Sequence, residues 1–364
     1  MIRVKISTPL RPYEALIENG LLESAGQKLR ELAGGRENAF VVTVPPVQRK
    51  WGKKLLASLA ATGFRAKLII MPDGEQNKRL TTVEQLAEQL TRLGATRDGL
   101  FIAFGGGVAG DVTGLLASLY MRGVDVVQIP TTVLAQVDAS IGGKTGVNLR
   151  AGKNLLGTFH QPLVVLIDPL VLSSLPEREF QAGLYEALKC GVIGRPELFE
   201  RLEKADVKAL RRDGGELEWI VAEAVRFKAE VVSADERESG LRRVLNFGHT
   251  IGHALEAESR YRRFLHGEAV AWGMIAATSI AAAVSKCEPQ IADRITNAVR
   301  AMGPLPKVNA DPRDIIRLLQ SDKKVKSGLV HFVLPRRIGE VEMVNDVPEK
   351  VVIEAVNQLR RISR

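Results

Sequence analysis

Cysteine is nearly absent from this chain of 364 residues, which contains only Cys190 and Cys287. Two cysteines cannot form a disulfide framework, and no cysteine pairs with zinc-finger spacing occur. A reducing, cytoplasmic setting fits this composition. Hydrophobic residues make up 45% and charged residues 26% of the chain, as in globular proteins. Since domains usually have roughly 100–200 residues, we expect two of them.

Long apolar runs are also missing. The most apolar stretch, residues 269–284, is shorter than the roughly 20 residues that a membrane span needs. Residues 1–6 alternate between apolar and basic, which is typical of a first strand, and they lack the apolar core of a signal peptide. We therefore expect no membrane partner.

Aromatic residues are scarce, at 5%, although the net charge is +9, from 51 basic and 42 acidic residues. Nucleic-acid-binding proteins usually cluster their basic residues and interleave aromatic ones. Here the basic residues are spread along the chain, so we expect no nucleic acid. A small anionic substrate explains the positive excess equally well.

The first half of the chain alternates between strand and helix patterns. Short β-branched runs predict strands at residues 40–44, 67–71, 100–104 and 126–129. An amphipathic helix with a Thr81–Glu84 capping box, ending at Gly94, separates the second strand from the third. This alternation predicts a parallel sheet with helices on both sides.

After residue 168 the pattern becomes mainly helical. Alanine- and leucine-rich segments predict helices at about 179–192, 198–211, 215–233, 246–258, 266–285 and 289–302. A strand pair at 329–334 and 340–344 precedes a final helix from about residue 349. The predicted fold is an α/β, Rossmann-like parallel-sheet domain over residues 1–175, followed by a mainly α-helical domain over residues 176–364.

A glycine-rich turn, residues 105–111, directly follows the third predicted strand. Its G-x-G-x-x-G spacing, between a strand and a helix, lets the backbone approach a pyrophosphate at the helix N-terminus. The alternative is a tight turn that binds nothing. No acid stands about 20 residues further on, where a ribose is usually bound, so a dinucleotide would be held in another way.

Three of the five histidines, His249, His253 and His266, lie within eighteen residues. The spacing predicts one polar stripe on one helix. The members of this stripe are Arg242, Asn246, His249, His253 and Glu256. An exposed stripe without a ligand is the alternative, but exposed faces favour lysine and glutamate over asparagine and histidine.

Histidines at i and i+4, such as His249 and His253, can chelate a metal ion. A carboxylate would complete a site with one open position, and Glu186 is a candidate. The alternative for Glu186 is a surface ion pair with Lys189, one turn later. Spacing alone does not decide which two of the three histidines bind the ion.

Three lysines stand in unusual surroundings. Lys228 falls on the apolar stripe of the helix predicted at 215–233, where a lysine either extends to solvent or serves a site. Lys144 and Lys153 lie in glycine-rich loops predicted over residues 138–154, and such loops bind anions. The glycine spacing is not that of a Walker A motif, which disfavours ATP-driven phosphoryl transfer.

Together these motifs resemble the 3-dehydroquinate synthase family. They include Gly-Gly-Gly-Val-Ala-Gly-Asp at 105–111, Glu-Ala-Leu-Lys at 186–189 and Asn-Phe-Gly-His-Thr-Ile-Gly-His at 246–253. The resemblance covers about residues 10–345 in collinear order. Its other runs are 120–123, 130–132, 137–145, 153–154, 161–162, 235–242, 266–268 and 322–324.

The resemblance implies a homodimer whose subunits have a Rossmann-like domain and a helical metal-binding domain, with the substrate between them. It implies two cofactors, NAD and one divalent metal, zinc or cobalt. Glu186, His249 and His266 would hold the metal, and His253 would contact the substrate. The NAD-binding residues would be Asp73, Gly74, Glu75, Gln76, Asn77, Lys78, Gly107, Val108, Ala109, Gly110, Asp111, Thr131, Thr132, Lys144, Lys153, Val171, Leu172, Ser173 and Ser174.

The family converts a small anionic sugar phosphate, 3-deoxy-D-arabino-heptulosonate 7-phosphate, to 3-dehydroquinate and phosphate. NAD oxidises one alcohol, the ketone acidifies the neighbouring C–H, phosphate leaves, and NADH returns the hydride before ring opening and aldol closure. The residues for substrate hydroxyls and carboxylate would be Asp138, Lys144, Lys189 and Lys228. Those for phosphate would be Arg242, Asn246, Asn154, His253 and either Lys323 or Lys324, with Arg122 from the other subunit.

Two positions depart from the family pattern. Thr43 is followed by Val44-Pro45-Pro46, where the family often has an acid for the adenosine ribose, so we expect a different NAD affinity. Tyr185 precedes Glu186 where a small residue is commoner, and we expect no change in chemistry. The rival functions are another sugar-phosphate cyclase of aminocyclitol or valiolone synthase type, a metal-dependent glycerol or polyol dehydrogenase, and a catalytically inactive NAD-binding regulator.

Overall fold

The computed structural model describes residues 1–321 and 330–363. Its strands are β1 (Ile2–Ile6), β2 (Tyr13–Ile17), β3 (Asn38–Thr43), β4 (Arg65–Ile70), β5 (Leu100–Gly105), β6 (Val126–Pro130), β7 (Lys144–Leu149), β8 (Gly152–Phe159), β9 (Val164–Ile167), β10 (Phe332–Arg337) and β11 (Glu340–Val344). The four runs predicted in the first half fall on β3, β4, β5 and β6. The predicted late strand pair corresponds to β10 and β11.

The α-helices are α1 (Leu21–Leu32), α2 (Pro45–Val47), α3 (Lys53–Ala61), α4 (Leu80–Arg92), α5 (Gly107–Leu119), α6 (Glu177–Gly194), α7 (Pro196–Lys204), α8 (Val207–Leu210), α9 (Gly214–Ala234), α10 (His249–Glu258), α11 (His266–Ala283), α12 (Pro289–Ala301), α13 (Pro312–Ser321) and α14 (Glu349–Ile362). Short 3-10 or π-helical turns occur at Gln48–Gly52, Glu75–Asn77, Tyr120–Arg122, Ala135–Ala139, Pro169–Ser174 and Leu241–Asn246.

The chain divides into two compact units. Unit 1 comprises Met1–Pro176 and Asp213–Arg237, and unit 2 comprises Glu177–Arg212 and Glu238–Arg364 as far as it is described. Unit 1 therefore contains α9, which the predicted helical domain would have included. The reason is its apolar stripe, which packs against β1 and the turn Ala135–Ala139 of unit 1.

A seven-stranded sheet organises the described part of unit 1, in the order β1-β2-β9-β6-β5-β3-β4. Neighbours from β2 to β4 pair in parallel, and β1 is antiparallel to β2. Every residue of β5 is buried, as expected for a central strand covered on both faces. The predicted parallel α/β fold is confirmed.

The strand order creates a switch point between β3 and β5. The chain leaves β3 for β4 on one side and leaves β5 for β6 on the other. In open parallel sheets, ligands bind outside the carboxyl ends of the strands at such a point. The two segments there are residues 44–49, after β3, and the glycine turn after β5.

Part of the range 138–154, which was predicted as loops, forms an antiparallel hairpin of β7 and β8. Lys144 is the first residue of β7, and Lys153 lies at the beginning of β8. The loop prediction was wrong for these residues because β8 is mostly exposed, so its sequence lacks the alternation of apolar and polar residues that marks a half-buried strand.

Two helix predictions also need correction. The Thr81–Glu84 capping box is wrong, because α4 begins at Leu80 with Arg79 at its N-cap. The helix predicted at 198–211 is divided into α7 and α8 by extended residues, and the Asp206 carboxylate caps α8 by accepting a hydrogen bond from the Lys208 amide at 2.8 Å.

Unit 2 is mainly helical, as predicted, and α11 is buried along nearly its whole length. A Cβ at Gly267 would stand 1.7 Å from the carbonyl oxygen of Ala182, so α11 and α6 are in backbone contact there. This contact brings the first residue of α11 next to the middle of α6. Within the described residues, no helix is both long and apolar enough to span a bilayer.

Candidate functional site

The polar stripe predicted on one helix is interrupted in the structure. Arg242 and Asn246 lie in the 3-10 turn Leu241–Asn246, and α10 begins only at His249. Between them Gly248 has φ 78°, and a Cβ there would stand 2.8 Å from the carbonyl oxygen of Val270. The single-helix prediction is therefore wrong, and only the last three members of the stripe share α10.

Glu186 lies at the centre of a charged cluster in unit 2. Its carboxylate Oε1 is 3.7 Å from His249 Nε2 and 3.4 Å from His266 Nε2. Its Oε2 is 2.6 Å from Lys189 Nζ. The side chain is fully buried, and despite these short separations neither oxygen has a well-aligned hydrogen bond within the described residues. The surface ion pair considered for Glu186 is thus excluded.

The separations around Glu186 fit a divalent metal ion. Two ligand atoms bound about 2.1 Å from a tetrahedral zinc ion lie about 3.4 Å apart. The two distances from Glu186 Oε1 to imidazole nitrogens, 3.4 and 3.7 Å, are close to this value. A buried carboxylate without aligned hydrogen bonds, facing two imidazoles, is a donor set that zinc or cobalt accepts.

The second ring nitrogen of each of these histidines is also positioned. His249 Nδ1 lies 3.1 Å from the carbonyl oxygen of Phe247, and His266 Nδ1 lies 3.3 Å from Glu256 Oε2. Such partners orient metal-binding imidazoles and leave Nε2 as the ligand atom. Glu256 was predicted only as a member of the polar stripe, because its contact with His266 exists only where α10 meets α11.

His253 completes a group of three histidines. The ligand nitrogens of His249, His253 and His266 all lie within 4.8 Å of one another. On these distances alone, any two of the three histidines could bind one metal ion. Glu186 approaches the Nε2 atoms of His249 and His266 within 3.7 Å, which favours these two as its co-ligands.

The cluster strongly perturbs the pKa values of its members. Burial alone would raise the pKa of Glu186, but the Lys189 ammonium and the imidazoles outweigh burial and hold it well below its usual range. Burial and Lys189 lower the pKa of His249 to about 3. Burial also acts to lower the pKa of His266, but the Glu186 and Glu256 carboxylates beside its ring raise it to about 10.

Other predicted substrate residues lie in unit 2 near this cluster. The Lys189 ammonium donates to the carbonyl oxygen of Leu245 at 2.9 Å, and the Asn246 amide donates to Glu238 Oε1 at 2.8 Å. Arg242 is only 2% exposed. Lys323 and Lys324 lie outside the described residues.

Unit 1 brings two further predicted residues together. The Lys228 ammonium, on α9, donates to both the carboxylate Oδ1 and the backbone oxygen of Asp138 at 2.6 Å. Lys228 is buried, so its extension to solvent is excluded. Lys144 is exposed at the start of β7, and Arg122 is exposed after α5 with φ 68°.

A polar network joins predicted dinucleotide residues in unit 1. The buried Lys78 ammonium contacts the Asp111 carboxylate, and it donates to Asn154 Oδ1 at 2.5 Å. Glu75 Oε1 accepts from Asn148 Nδ2 at 2.8 Å. The segment 73–78, Asp111 of α5 and the β7–β8 hairpin are thus connected. Asn148 was not predicted as a site residue, because it carries no motif of its own.

The glycine turn joins β5 to α5, as predicted. α5 starts at Gly107, two residues after β5 ends. The first backbone N–H groups of a helix have no partner within it, so they can bind an anion. The Thr131 amide donates to Gly105 at 2.9 Å, which places Thr131 and Thr132 beside the turn. The residues 171–174 lie in the 3-10 turn Pro169–Ser174.

The chain matches two family models. The model of the 3-dehydroquinate synthase N-terminal region matches residues 68–182, and that of the 3-dehydroquinate synthase C-terminal region matches residues 183–325. The chain is also 51% identical, over 363 residues, to a 3-dehydroquinate synthase of Koribacter versatilis (strain Ellin345). That match covers 100% of this chain and 99% of the relative.

Solved structures show the same fold. ValA, a 2-epi-5-epi-valiolone synthase from Streptomyces hygroscopicus subsp. jinggangensis 5008 with NAD+ and Zn2+ bound, has a TM-score of 0.88 and 31% identity, covering 96% of this chain and 97% of ValA. A 2-deoxy-scyllo-inosose synthase complexed with carbaglucose-6-phosphate, NAD+ and Co2+ has a TM-score of 0.86 and 26% identity, covering 98% and 100% of the two chains.

Metal binding should release about one proton per ion at pH 7 to 8. Without metal, His266 is protonated up to its pKa of about 10, whereas His249, with a pKa of about 3, is already neutral. The metal affinity should therefore rise with pH, by about tenfold per unit below pH 10. Calorimetric zinc titrations in buffers of different ionisation enthalpy measure the proton count. A count of zero would contradict the assigned ligands.

Proposed function

The chain belongs to the 3-dehydroquinate synthase family, and from this we propose that it converts 3-deoxy-D-arabino-heptulosonate 7-phosphate to 3-dehydroquinate and phosphate. The relative of this activity, 51% identical over the full length, supports the proposal. The structural observation that carries it is the buried cluster of Glu186, His249 and His266. Its carboxylate and imidazole nitrogens are spaced as ligands of one ion.

We infer that the chain uses NAD and one divalent metal, zinc or cobalt, because the two similar cyclases bind NAD+ with Zn2+ or with Co2+. NAD supplies reversible hydride acceptance when bound, and the metal supplies Lewis acidity. Glu186, His249 and His266 would hold the metal. The glycine turn would hold the pyrophosphate at the first turn of α5, with the network around Lys78 beside it.

In unit 2 we assign cationic and amide groups to the substrate phosphate. A buried guanidinium such as that of Arg242 is usually matched to an anion, and a guanidinium binds phosphate through two parallel hydrogen bonds. Asn246 and His253 would add hydrogen bonds, with Lys323 or Lys324 as a further cation. The Lys189 ammonium, beside Glu186, would bind a substrate oxygen close to the metal.

In unit 1 we assign the Asp138–Lys228 pair to the substrate. Their contact at 2.6 Å keeps a buried ammonium charged and in place, ready to bind a hydroxyl or carboxylate. Lys144 would bind the same substrate, and Asn154 would bind its phosphate. The phosphate held this way can take the proton from the neighbouring carbon, so proximity replaces a strong protein base.

The similarity favours this activity over its rivals. The chain is 51% identical to a 3-dehydroquinate synthase, against 31% for the valiolone synthase. A polyol dehydrogenase would leave net NADH, whereas the proposed reaction returns the hydride to its substrate. A catalytically inactive regulator would not need the metal donor set around Glu186.

We propose a cytoplasmic homodimer. Exposed apolar side chains, each between 38% and 52% exposed, gather at the end of α5 and on the β7–β8 hairpin. They are Leu119, Met121, Leu149, Leu155, Leu156 and Phe159. Thr158 donates to Ser118 at 2.9 Å, so the two elements lie side by side. Clusters of this kind mark protein interfaces, and Arg122 beside them would reach the partner's site. Two free, buried cysteines fit the cytoplasm.

Phosphate release from the heptulosonate phosphate tests the proposed function. We expect turnover that requires NAD, stops when a chelator removes the metal and returns with zinc or cobalt, without net accumulation of NADH. Phosphate and NADH absorbance are measured in one assay. No turnover with both cofactors bound would refute the activity, and NADH accumulating on glycerol would favour the dehydrogenase.

Matched histidine variants test the ligand assignment. His249→Ala should lose stoichiometric metal, because one of three protein ligands is gone. His253→Ala should retain about one ion per chain and lose activity by about a hundredfold or more, as expected for a residue that contacts substrate. Metal content after dialysis and phosphate release are the two measurements. Full metal retention by His249→Ala would show that another residue binds the ion.

A charge on the hairpin tests the dimer. Leu156→Asp should convert the dimer to a monomer, because an interface excludes an unpaired buried carboxylate. Leu170→Asp is the control, since Leu170 is also exposed but lies outside the hairpin cluster. Light scattering after gel filtration gives the molecular mass. A monomeric natural chain, or an unchanged dimer in Leu156→Asp, would exclude this interface.

A further inference from the structure

The β7–β8 hairpin is irregular at Asn148. One residue separates the two flanking pairs on β7, whereas three separate them on β8, so residues 153–155 stand opposite Asn148 alone. The flanking pairs are Val147–Leu156 and Leu149–Gly152. A bulge of this kind takes the extra residues out of the ladder and redirects their side chains. Two of them, Lys153 and Asn154, are residues that we assign to NAD and to the substrate phosphate.

Asn148 makes three hydrogen bonds outside the regular ladder. Its backbone N–H donates to the carbonyl oxygen of Lys78 at 2.8 Å. Its side-chain Nδ2 donates to Glu75 Oε1 at 2.8 Å, and its Oδ1 accepts from the backbone N–H of Asn154 at 2.9 Å. Because a carboxylate can only accept and an N–H can only donate, these partners fix the orientation of the side-chain amide. One residue thus joins the segment 73–78 to the bulge.

Asn154 depends on this contact for its position. Its φ of 53° is in the left-handed region, which asparagine adopts more readily than most residues. Its backbone N–H donates to Asn148, and its side-chain Oδ1 accepts from the Lys78 ammonium at 2.5 Å. Since Oδ1 faces an ammonium, Nδ2 remains as the donor for a phosphate oxygen. The direction of that donor is therefore set by Asn148 and Lys78 together.

On the cofactor side, Asn148 contacts both ends of the turn Glu75–Asn77. Glu75 Oε1, at the beginning of the turn, accepts from the Asn148 side chain and lies 4.0 Å from Lys153 Nζ. Directly after the turn, the carbonyl oxygen of Lys78 accepts from the Asn148 backbone. A change at Asn148 therefore reaches residues that we assign to NAD, in addition to the bulge that holds Asn154.

A purely structural role is the alternative for Asn148. If its side chain only stabilised the hairpin, any substitution would lower the stability and weaken the binding of both ligands to the same degree. A positioning role predicts separate effects, because Nδ2 contacts Glu75 whereas Oδ1 contacts Asn154. Substitutions can remove these two contacts one at a time.

We propose that Asn148 is a positioning residue of the active site, which orients Glu75 for the dinucleotide through Nδ2 and Asn154 for the substrate phosphate through Oδ1. The inference rests on the proposed function and adds a residue that acts through two others. Loss of one such hydrogen bond changes a binding constant by about threefold to tenfold. We expect effects of that size on each ligand.

Asn148→Asp tests the contact that serves the dinucleotide. This variant keeps an oxygen that accepts from the Asn154 N–H, but it replaces the donor to Glu75 with a second carboxylate. NADH should bind more weakly by about tenfold or more, whereas the KM for the heptulosonate phosphate at saturating NAD should change by less than about twofold. Nicotinamide fluorescence on the metal-loaded protein measures the NADH dissociation constant, and phosphate release measures the KM.

Asn148→Ala removes both side-chain contacts. The NADH dissociation constant and the KM should each rise by about threefold to tenfold. Asn38→Ala is the matched control, because Asn38 Oδ1 also accepts a hydrogen bond, from Arg65 at 3.2 Å, but at the amino end of β3. This control should change neither value. The thermal unfolding midpoint should shift by less than about 4 °C in all three variants.

Different failures separate this inference from the proposed function. Unchanged NADH binding in Asn148→Asp overturns the inference, and so does an equal rise of the NADH dissociation constant and the KM in that variant. Unchanged values in Asn148→Ala also overturn it, and if that variant does not fold, Asn148→Asp decides. In these cases the proposed function stands if the natural chain binds NADH and releases phosphate. If the natural chain does neither, the proposed function is refuted and the inference with it.

Discussion

The charged cluster of unit 2 is built around one fully buried carboxylate, that of Glu186. Moving an ionised carboxylate from water into a protein interior costs several kcal/mol unless partners compensate it. Glu186 meets an ammonium at 2.6 Å and two imidazole nitrogens within 3.7 Å. The low polarity that makes its burial costly also strengthens its attraction for a divalent cation. The packing of unit 2 and the proposed metal binding therefore depend on the same charged groups around Glu186. Removing either Lys189 or Glu186 would leave the charge of the other buried and uncompensated.

That arrangement requires three helices to meet at fixed positions. Glu268 accepts two hydrogen bonds from Arg178, at 2.6 and 2.8 Å, and a third from the Leu265 amide at 2.8 Å. These contacts fix the N-terminus of α11, so that His266, its first residue, has a defined direction. Gly267 lets α11 touch α6 at the same place. The His-Gly-Glu run thus combines a proposed metal ligand, a close helix contact and a helix cap in three consecutive residues.

Local patterns predicted most elements but not how distant ones meet. The parallel strands and the long helices follow from hydrophobic periodicity, which is a property of neighbouring residues. The prediction of one helix for the polar stripe was wrong at Gly248. This glycine has a left-handed backbone conformation, which interrupts the helix and which helical spacing does not reveal. Helical spacing also left the choice among three histidines open, since Glu186 is distant in sequence and contacts His249 and His266 only through helix packing. The resemblance supplied this choice. The mostly exposed strand β8 lacks the alternation of apolar and polar residues that would have marked it as a strand.

Three buried ion pairs place ammonium groups in the proposed binding sites of this chain, whose net charge is +9. Lys78, Lys189 and Lys228 are all buried, and each contacts an acid. These pairs hold the ammonium groups in place before a ligand arrives, which is the preorganisation that stabilises developing charge. Because the pairs are internally balanced, the excess positive charge lies elsewhere and acts at long range, where it attracts anions and is screened by salt. The exposed cations thus attract an anionic substrate from a distance, whereas the buried cations position it in the site.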